Sequence, residues 1–284
     1  MRIGNRQGRA VILVENGTID VETTSKDRFS SSIDEAISHL DEVRSWWQSA
    51  AVGAPVDAFD ESMFHELGPV VDNPSQVFAI GLNYHAHANE MGLNLPEVPM
   101  VFGKFASCLT GPFARVPRVS EMTDCEAELV IVIGPRGRDI SVDDALDYVA
   151  EYCVGQDMSD RELQMRGSPA QFSMSKSFRH SGPVGPWLTS SDEVVDPNDL
   201  DIICKVNGQV FQDSNTSNMI FSVRDIIVYV STVCELRPGD IFFTGSPDGT
   251  GKGQSPPRFL QLGDVVSTTI ERLGTISNEV VAPM

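Results

Sequence analysis

The stretch Asp124-Cys125-Glu126-Ala127-Glu128-Leu129-Val130-Ile131-Val132-Ile133-Gly134 carries a short, β-like apolar run that predicts a strand over Glu128–Ile133. Glu126 and Glu128 stand two apart at its head, and the two-residue repeat of a strand turns both carboxylates to one face. They repel each other there unless something positive lies between them. A hard divalent cation such as Mg2+ or Mn2+ takes oxygen ligands of this kind. A Glu-x-Glu on a solvated strand face is the ordinary alternative.

Similar runs at Val77–Gly81, Ile202–Val206, Ile241–Thr244 and Val265–Ile270 predict further strands, separated by turns rich in Gly and Pro. Helices are expected at Val142–Val149, behind Ser141, and at Ser222–Cys234, where Ile226, Ile227, Val230 and Val233 form an apolar stripe. Upstream, strands at Ala10–Val14 and Thr18–Val21 precede a helix over Ser32–Ala50. Ser32 with Glu35 resembles a capping box there, and Ile37, Leu40 and Val43 recur at helical spacing. These elements form a small N-terminal lobe over 1–70, closed by a Pro- and Gly-bearing linker between Gly53 and Asn73; a larger domain follows over 71–284. Strands come in runs and do not alternate regularly with helices. The pattern therefore favours a mixed α+β fold on a β-roll over a doubly wound sheet.

The 284 residues include 21 basic and 40 acidic side chains, a formal charge of −19 that repels nucleic-acid phosphates and anionic lipid. Neither nucleic acid nor a membrane is an expected partner. An anionic substrate meets the same field unless a cation inside the site reverses its local sign. The five cysteines are scattered singly with no CxxC pair, as in a reduced cytosolic protein. Without an apolar leader or a long apolar run, a cytoplasmic location is expected.

Other segments carry candidate chemistry. Asp157 lies just beyond an apolar stretch and is a third candidate metal ligand, or else a helix cap. Arg161 and Gln164 follow at i+4 and i+7, one face of a helix, where they could grip a carboxylate. In Gly81-Leu82-Asn83-Tyr84-His85-Ala86-His87-Ala88-Asn89-Glu90, a helical turn brings His87 to Glu90, the support a general base needs; a solvated helix pair looks the same in sequence. Lys176 is the only lysine between Lys104 and Lys205 and could bind an enolate or carboxylate, if it is not simply a surface lysine before a turn. Phe242-Phe243-Thr244-Gly245-Ser246-Pro247-Asp248-Gly249-Thr250-Gly251 places a Gly-rich turn after a strand, able to offer backbone N–H groups to an anion but without the lysine and spacing of a P-loop.

Taken in order, these segments resemble the fumarylacetoacetate hydrolase family, in particular its shorter acylpyruvate hydrolases, oxaloacetate decarboxylases and 2-hydroxyhepta-2,4-diene-1,7-dioate isomerases. The resemblance runs from about Val77 to Val280 through Gly-x-Asn-Tyr-x-x-His-x-x-Glu, Glu-x-Glu-Leu, Asp-x-Ser-x-Arg-x-x-Gln, Lys-Ser-Phe, Gly-Pro-x-Gly-Pro and Thr-Gly-Ser-Pro-x-Gly-x-Gly. It implies a β-roll core, a homodimer, and Mg2+ or Mn2+, with Ca2+ a further option, held by Glu126, Glu128 and Asp157. His87 and Glu90 match a water-activating dyad, and Lys176 a catalytic lysine. Arg161, Gln164 and Ser246 match substrate contacts. The implied reaction is hydrolysis of the C–C bond of a 2,4-dioxo acid through a metal-stabilised enolate. Decarboxylation of an oxaloacetate-type acid or isomerisation of a dienol dioate are its close rivals, and an oxo-acid or metal binding protein is a rival of another class. Three positions depart from the family pattern: Cys125, Gln156 and Arg179. Arg179 and His180 add positive charge that could suit a second carboxylate.

Overall fold

A computed structural model of the chain describes residues 1–50 and 54–283. Its centre is an eleven-stranded sheet in which Ala127–Ile133 lies between Val149–Gln156, antiparallel, and Ile241–Phe243, also antiparallel. Val77–Gly81 pairs in parallel with Ile241–Phe243 on one side, and Met100–Gly103 closes that edge. On the other side Val149–Gln156 pairs with Gly182–Ser190, which in turn pairs with Arg2–Arg6. Strands Arg9–Val14, Gly17–Asp20 and Asp57–Ala58 continue from there, so the N-terminal segment extends the same sheet.

A second, five-stranded sheet contains Asp201–Val206, Gln209–Asn215, Val265–Ile270 and Gly274–Val281, with Val116–Pro117 at its edge. The large sheet is covered on both faces. Ala127, Leu129, Ile131 and Ile133 share one core with the second sheet and helix Val223–Ser231, whereas Val130 and Val132 pack with Ile33, Ile37, Val43 and Trp46 of the N-terminal helices. A strand buried on both faces has no need of polar alternation, which explains the unbroken apolar run. The β-dominated mixed fold expected from sequence is the one observed.

Several elements differ from expectation. The helix over Ser32–Ala50 is two, Ile33–Ser38 and Leu40–Ala50, turned at His39 so that both halves stay on the same core. Ser32 caps the first by accepting from Glu35 N. Val21 starts a short helix, Val21–Ser25, and does not end a strand. The linker holds strand Asp57–Ala58 and a 3-10 turn at Glu61–Glu66, and its expected first residue, Gly53, lies outside the described residues. Val142–Val149 is no α-helix: a 3-10 turn at Ala145–Tyr148 leads into the sheet, where Val149 pairs with Ile133. Sheet pairing of β-branched residues outweighs a weak helical signal. Helix Val223–Ser231 has a full capping box between Ser222 and Asp225.

Candidate active site

Glu126 and Glu128 continue the row of Val130 and Val132 at the head of the central strand, and both are buried. Asp157 follows the adjacent strand directly, where its N–H donates to the Glu126 carbonyl at 2.9 Å. A carboxylate oxygen from each of the three lies within 4.8 Å of the others. Burial, with Asp157 alongside, pushes the Glu128 carboxyl well above the usual carboxylate range. Burial acts on Glu126 in the same direction, but Arg161 and Lys176 overcome it and hold that carboxyl well below the range. Three buried, mutually repelling, hard oxygen donors fit a hard divalent cation, and these residues could hold one.

The remaining sequence candidates converge on this cluster. Lys176, carried just beyond helix Phe172–Ser175, donates to Glu126, to Asp157 Oδ2 at 2.6 Å and to Ser159 Oγ at 2.8 Å. His87 sits on helix His85–Glu90, with Nδ1 3.1 Å from Glu90 Oε2. Arg161 and Gln164 form a single helical turn capped by Asp160, and Asp157 lies outside it at the end of a strand; the expected shared helix face is replaced by a strand-to-turn corner that still brings all three together. Arg161 grips the protein's own carboxylates, Asp124 Oδ2 at 2.9 Å and Glu126 Oε1 at 2.7 Å, besides Gln164 Oε1 at 3.2 Å. Ser246 Oγ accepts from Gln212 Nε2 at 2.8 Å. All nine candidates except Glu90 border one cavity of about 320 Å³, of which Met91, Leu93, Met165 and Phe172 form an apolar wall. Arg179 and His180 do not border it; Arg179 is exposed, and His180 Nδ1 contacts the Arg115 carbonyl at 2.9 Å.

The Gly-rich turn uses its amides on internal anions. Gly245 N donates to Glu128 Oε2 at 2.6 Å, Gly249 N to Glu90 Oε1 at 3.0 Å, and Gly251 N to Asp124 Oδ1 at 2.7 Å. Gly245 is required where it stands. Its φ is 105° and an added Cβ would lie 2.6 Å from Asn83 Cβ. Asn83 in turn ties this turn to its own helix by donating to the Thr244 carbonyl at 2.7 Å.

Sequence reasoning passed over four buried residues here. Lys104 donates to Asp157 Oδ1 at 2.6 Å and to the Lys176 carbonyl. Asp124 joins Arg161 to the Gly-rich turn. Gln212 bridges Ser246 and Ala127 N, 2.8 Å from each. Gln156, at one of the departures from the family pattern, accepts from Glu126 N at 3.0 Å and so orients a triad member. Lys104 alone had a detectable signal, as a lysine set beside a strand and aromatic residues.

On this mixed, β-dominated fold the buried carboxylate triad and His87, paired with Glu90, come together at one cavity, the arrangement of an enzyme site. The family model for the fumarylacetoacetate hydrolase C-terminal domain matches residues 76–281, and the chain belongs to that family. It is similar to the mitochondrial oxaloacetate tautomerase of Xenopus laevis, 43% identical over 217 residues covering 76% of this chain and 68% of that protein. Among solved structures it is similar to maleylpyruvate hydrolase from Sphingobium sp. SYK-6 in complex with manganese(II) ion and pyruvate, at 27% identity and a TM-score of 0.83 over all of both chains. It is also similar to 2-hydroxyhepta-2,4-diene-1,7-dioate isomerase from Mycobacterium marinum, at 28% identity and a TM-score of 0.73 over 99% of this chain and 98% of that one. The chain is thus an enzyme of a family whose members include hydrolases and isomerases. Among the described residues no helix is long and apolar enough to cross a membrane.

Proposed function

We propose that the protein interconverts the keto and enol forms of a small 2-oxo acid of the oxaloacetate class, with Mg2+ or Mn2+ bound. The observation that carries this reading is the His87–Glu90 pair, whose histidine borders the same cavity as the carboxylate triad and Lys176. A divalent cation on Glu126, Glu128 and Asp157 would supply Lewis acidity toward the carboxylate and C2 oxygen of the acid, making its C3 protons more acidic. His87 then takes a C3 proton at Nε2, while Glu90, 3.1 Å from Nδ1, orients the ring. Lys176 offers an ammonium to the charge gained at the C2 oxygen, where preformed electrostatics help most. Return of the proton to C3 or to oxygen completes either direction. The resemblance to an oxaloacetate tautomerase supports the choice of reaction.

A second reading is hydrolysis of an acylpyruvate, in which His87 takes a proton from water, the water oxygen bonds to C4, the C3–C4 bond breaks, and the proton returns to C3 of the pyruvate enolate. The apolar wall of Met91, Leu93, Met165 and Phe172 suits an acyl arm and favours it. Both reactions pass through the enolate of a 2-oxo acid, that of oxaloacetate in the first and of pyruvate in the second, and one experiment separates them: oxaloacetate and acylpyruvates are supplied to Mn2+-loaded protein. Accelerated enolisation of oxaloacetate without acylpyruvate cleavage is expected. Cleavage to pyruvate and a carboxylic acid, with no effect on enolisation, would replace the first reading by the second.

A further inference from the structure

The cavity is bordered by three cationic side chains, Arg161, Lys176 and Lys252, and Lys104 lies buried behind them. Arg161 is held by Asp124, Glu126 and Gln164. Lys176 is held by Glu126, Asp157 and Ser159, and Lys104 by Asp157 and a carbonyl. Lys252 differs: among the described residues its ammonium has neither an ion-pair nor a hydrogen-bond partner, although the side chain is half-buried. Its position is nonetheless built. The Lys252 N–H donates to Asp124 Oδ2 at 3.2 Å, beside the Gly251 N–H on the same carboxylate, so the root of the side chain is anchored to the group that also grips Arg161.

Partial burial, together with repulsion from Arg161, lowers the proton affinity of this ammonium below the usual lysine range, the mark of a cation short of a counter-charge. The nearby carboxylates are already taken: Asp124 accepts from Arg161 and from the backbone, Glu126 from Arg161, Lys176 and Ser159. In a chain with a formal charge of −19, an unpaired lysine facing a site for acids is positioned for an incoming anion.

We propose that Lys252 receives the second carboxylate of the substrate, so that the enzyme selects 2-oxo acids bearing a distal carboxylate over their monocarboxylic counterparts. This rests on the function proposed above, because it takes the 2-oxo acid end to sit at the carboxylate triad. Lys252, and not Arg179 or His180, supplies the extra positive charge.

Calorimetric titration of Mn2+-loaded protein with oxalate, which presents only a chelating end, and with N-oxalylglycine, which adds a distal carboxylate, tests it. Lys252→Met should weaken N-oxalylglycine roughly tenfold or more, the effect of losing one charge-assisted hydrogen bond. Oxalate affinity should stay unchanged, and Lys252→Arg should restore most of the loss. Equal weakening of both ligands would make Lys252 a structural residue of its turn, and no weakening of either would remove it from the site; each overturns the proposal while leaving the function intact. Failure of the parent protein to bind oxalate at all would overturn both.

Discussion

At the scale of single residues, His87 and Lys104 divide chemistry from architecture. His87 lies 3.1 Å from Glu90 and borders the cavity without touching the triad carboxylates by a hydrogen bond. His87→Asn should lower turnover by about 10²- to 10⁴-fold, the usual worth of a positioned acid–base group, and leave Mn2+ affinity unchanged. Parallel kinetics and metal titration check this, and a matching loss of metal would contradict it. Lys104 is fully buried against Asp157. Without Lys104 the buried Asp157 keeps Lys176 but loses one charged donor, so Lys104→Met should cost about 1–3 kcal/mol in urea unfolding. The lysine had a weak local signal, but its role was not legible from neighbours in sequence, because Asp157 lies 53 positions away. The His87–Glu90 pair was legible because both groups belong to one helical turn.

At the scale of elements, the strand heads and the Gly-rich turn make the site. Period two alone showed that Glu126 and Glu128 share a face, and Ala127–Ile133 folds as that reading requires. Strand Gly182–Ser190 was not legible, since Pro183 and Pro186 argue against a central strand. It nevertheless pairs with Val149–Gln156, across a register irregularity. The turn after Ile241–Phe243 read as a general anion cradle, but its amides serve Glu128, Glu90 and Asp124. Gly245→Ala puts a Cβ into a backbone conformation with φ of 105° and against Asn83. It should destabilise the fold by about 1–3 kcal/mol and displace the donor to Glu128, lowering Mn2+ affinity as well. Unchanged melting and metal binding would show that the turn tolerates a side chain.

At the scale of the whole molecule, the N-terminal segment and the catalytic core meet over a buried acid. Glu151 Oε1 accepts from Arg44 at 3.1 Å across that contact, yet burial outweighs Arg44 and pushes the carboxyl up to about 8. An acid whose folded value is raised binds more protons folded than unfolded. It therefore adds stability below the unfolded value of about 4.3 that is lost as pH rises toward 8. Glu151→Gln should flatten this part of the stability profile, gaining on the parent as pH rises from 5 to about 8, as urea unfolding at stepped pH would show. A constant difference between the two proteins across that range would mean that Glu151 is ionised throughout. The edge strand Met100–Gly103 and exposed Leu95, Val98, Val101 and Phe105 near it support a proposed homodimer through this edge. Sedimentation should give twice the chain mass, and Val101→Glu with Phe105→Lys should halve it.

The sequence by itself determined the β-rich class, the shared face of Glu126 and Glu128 and the His87–Glu90 turn, because each depends on spacing within one element. Tertiary structure alone decided that Asp157 joins the pair, that Arg161 and Lys104 are held by buried carboxylates, and that Lys252 borders the cavity where Arg179 does not. These placements arise where strands distant in sequence become neighbours, and burial then makes each charge answer to partners that no local pattern contains.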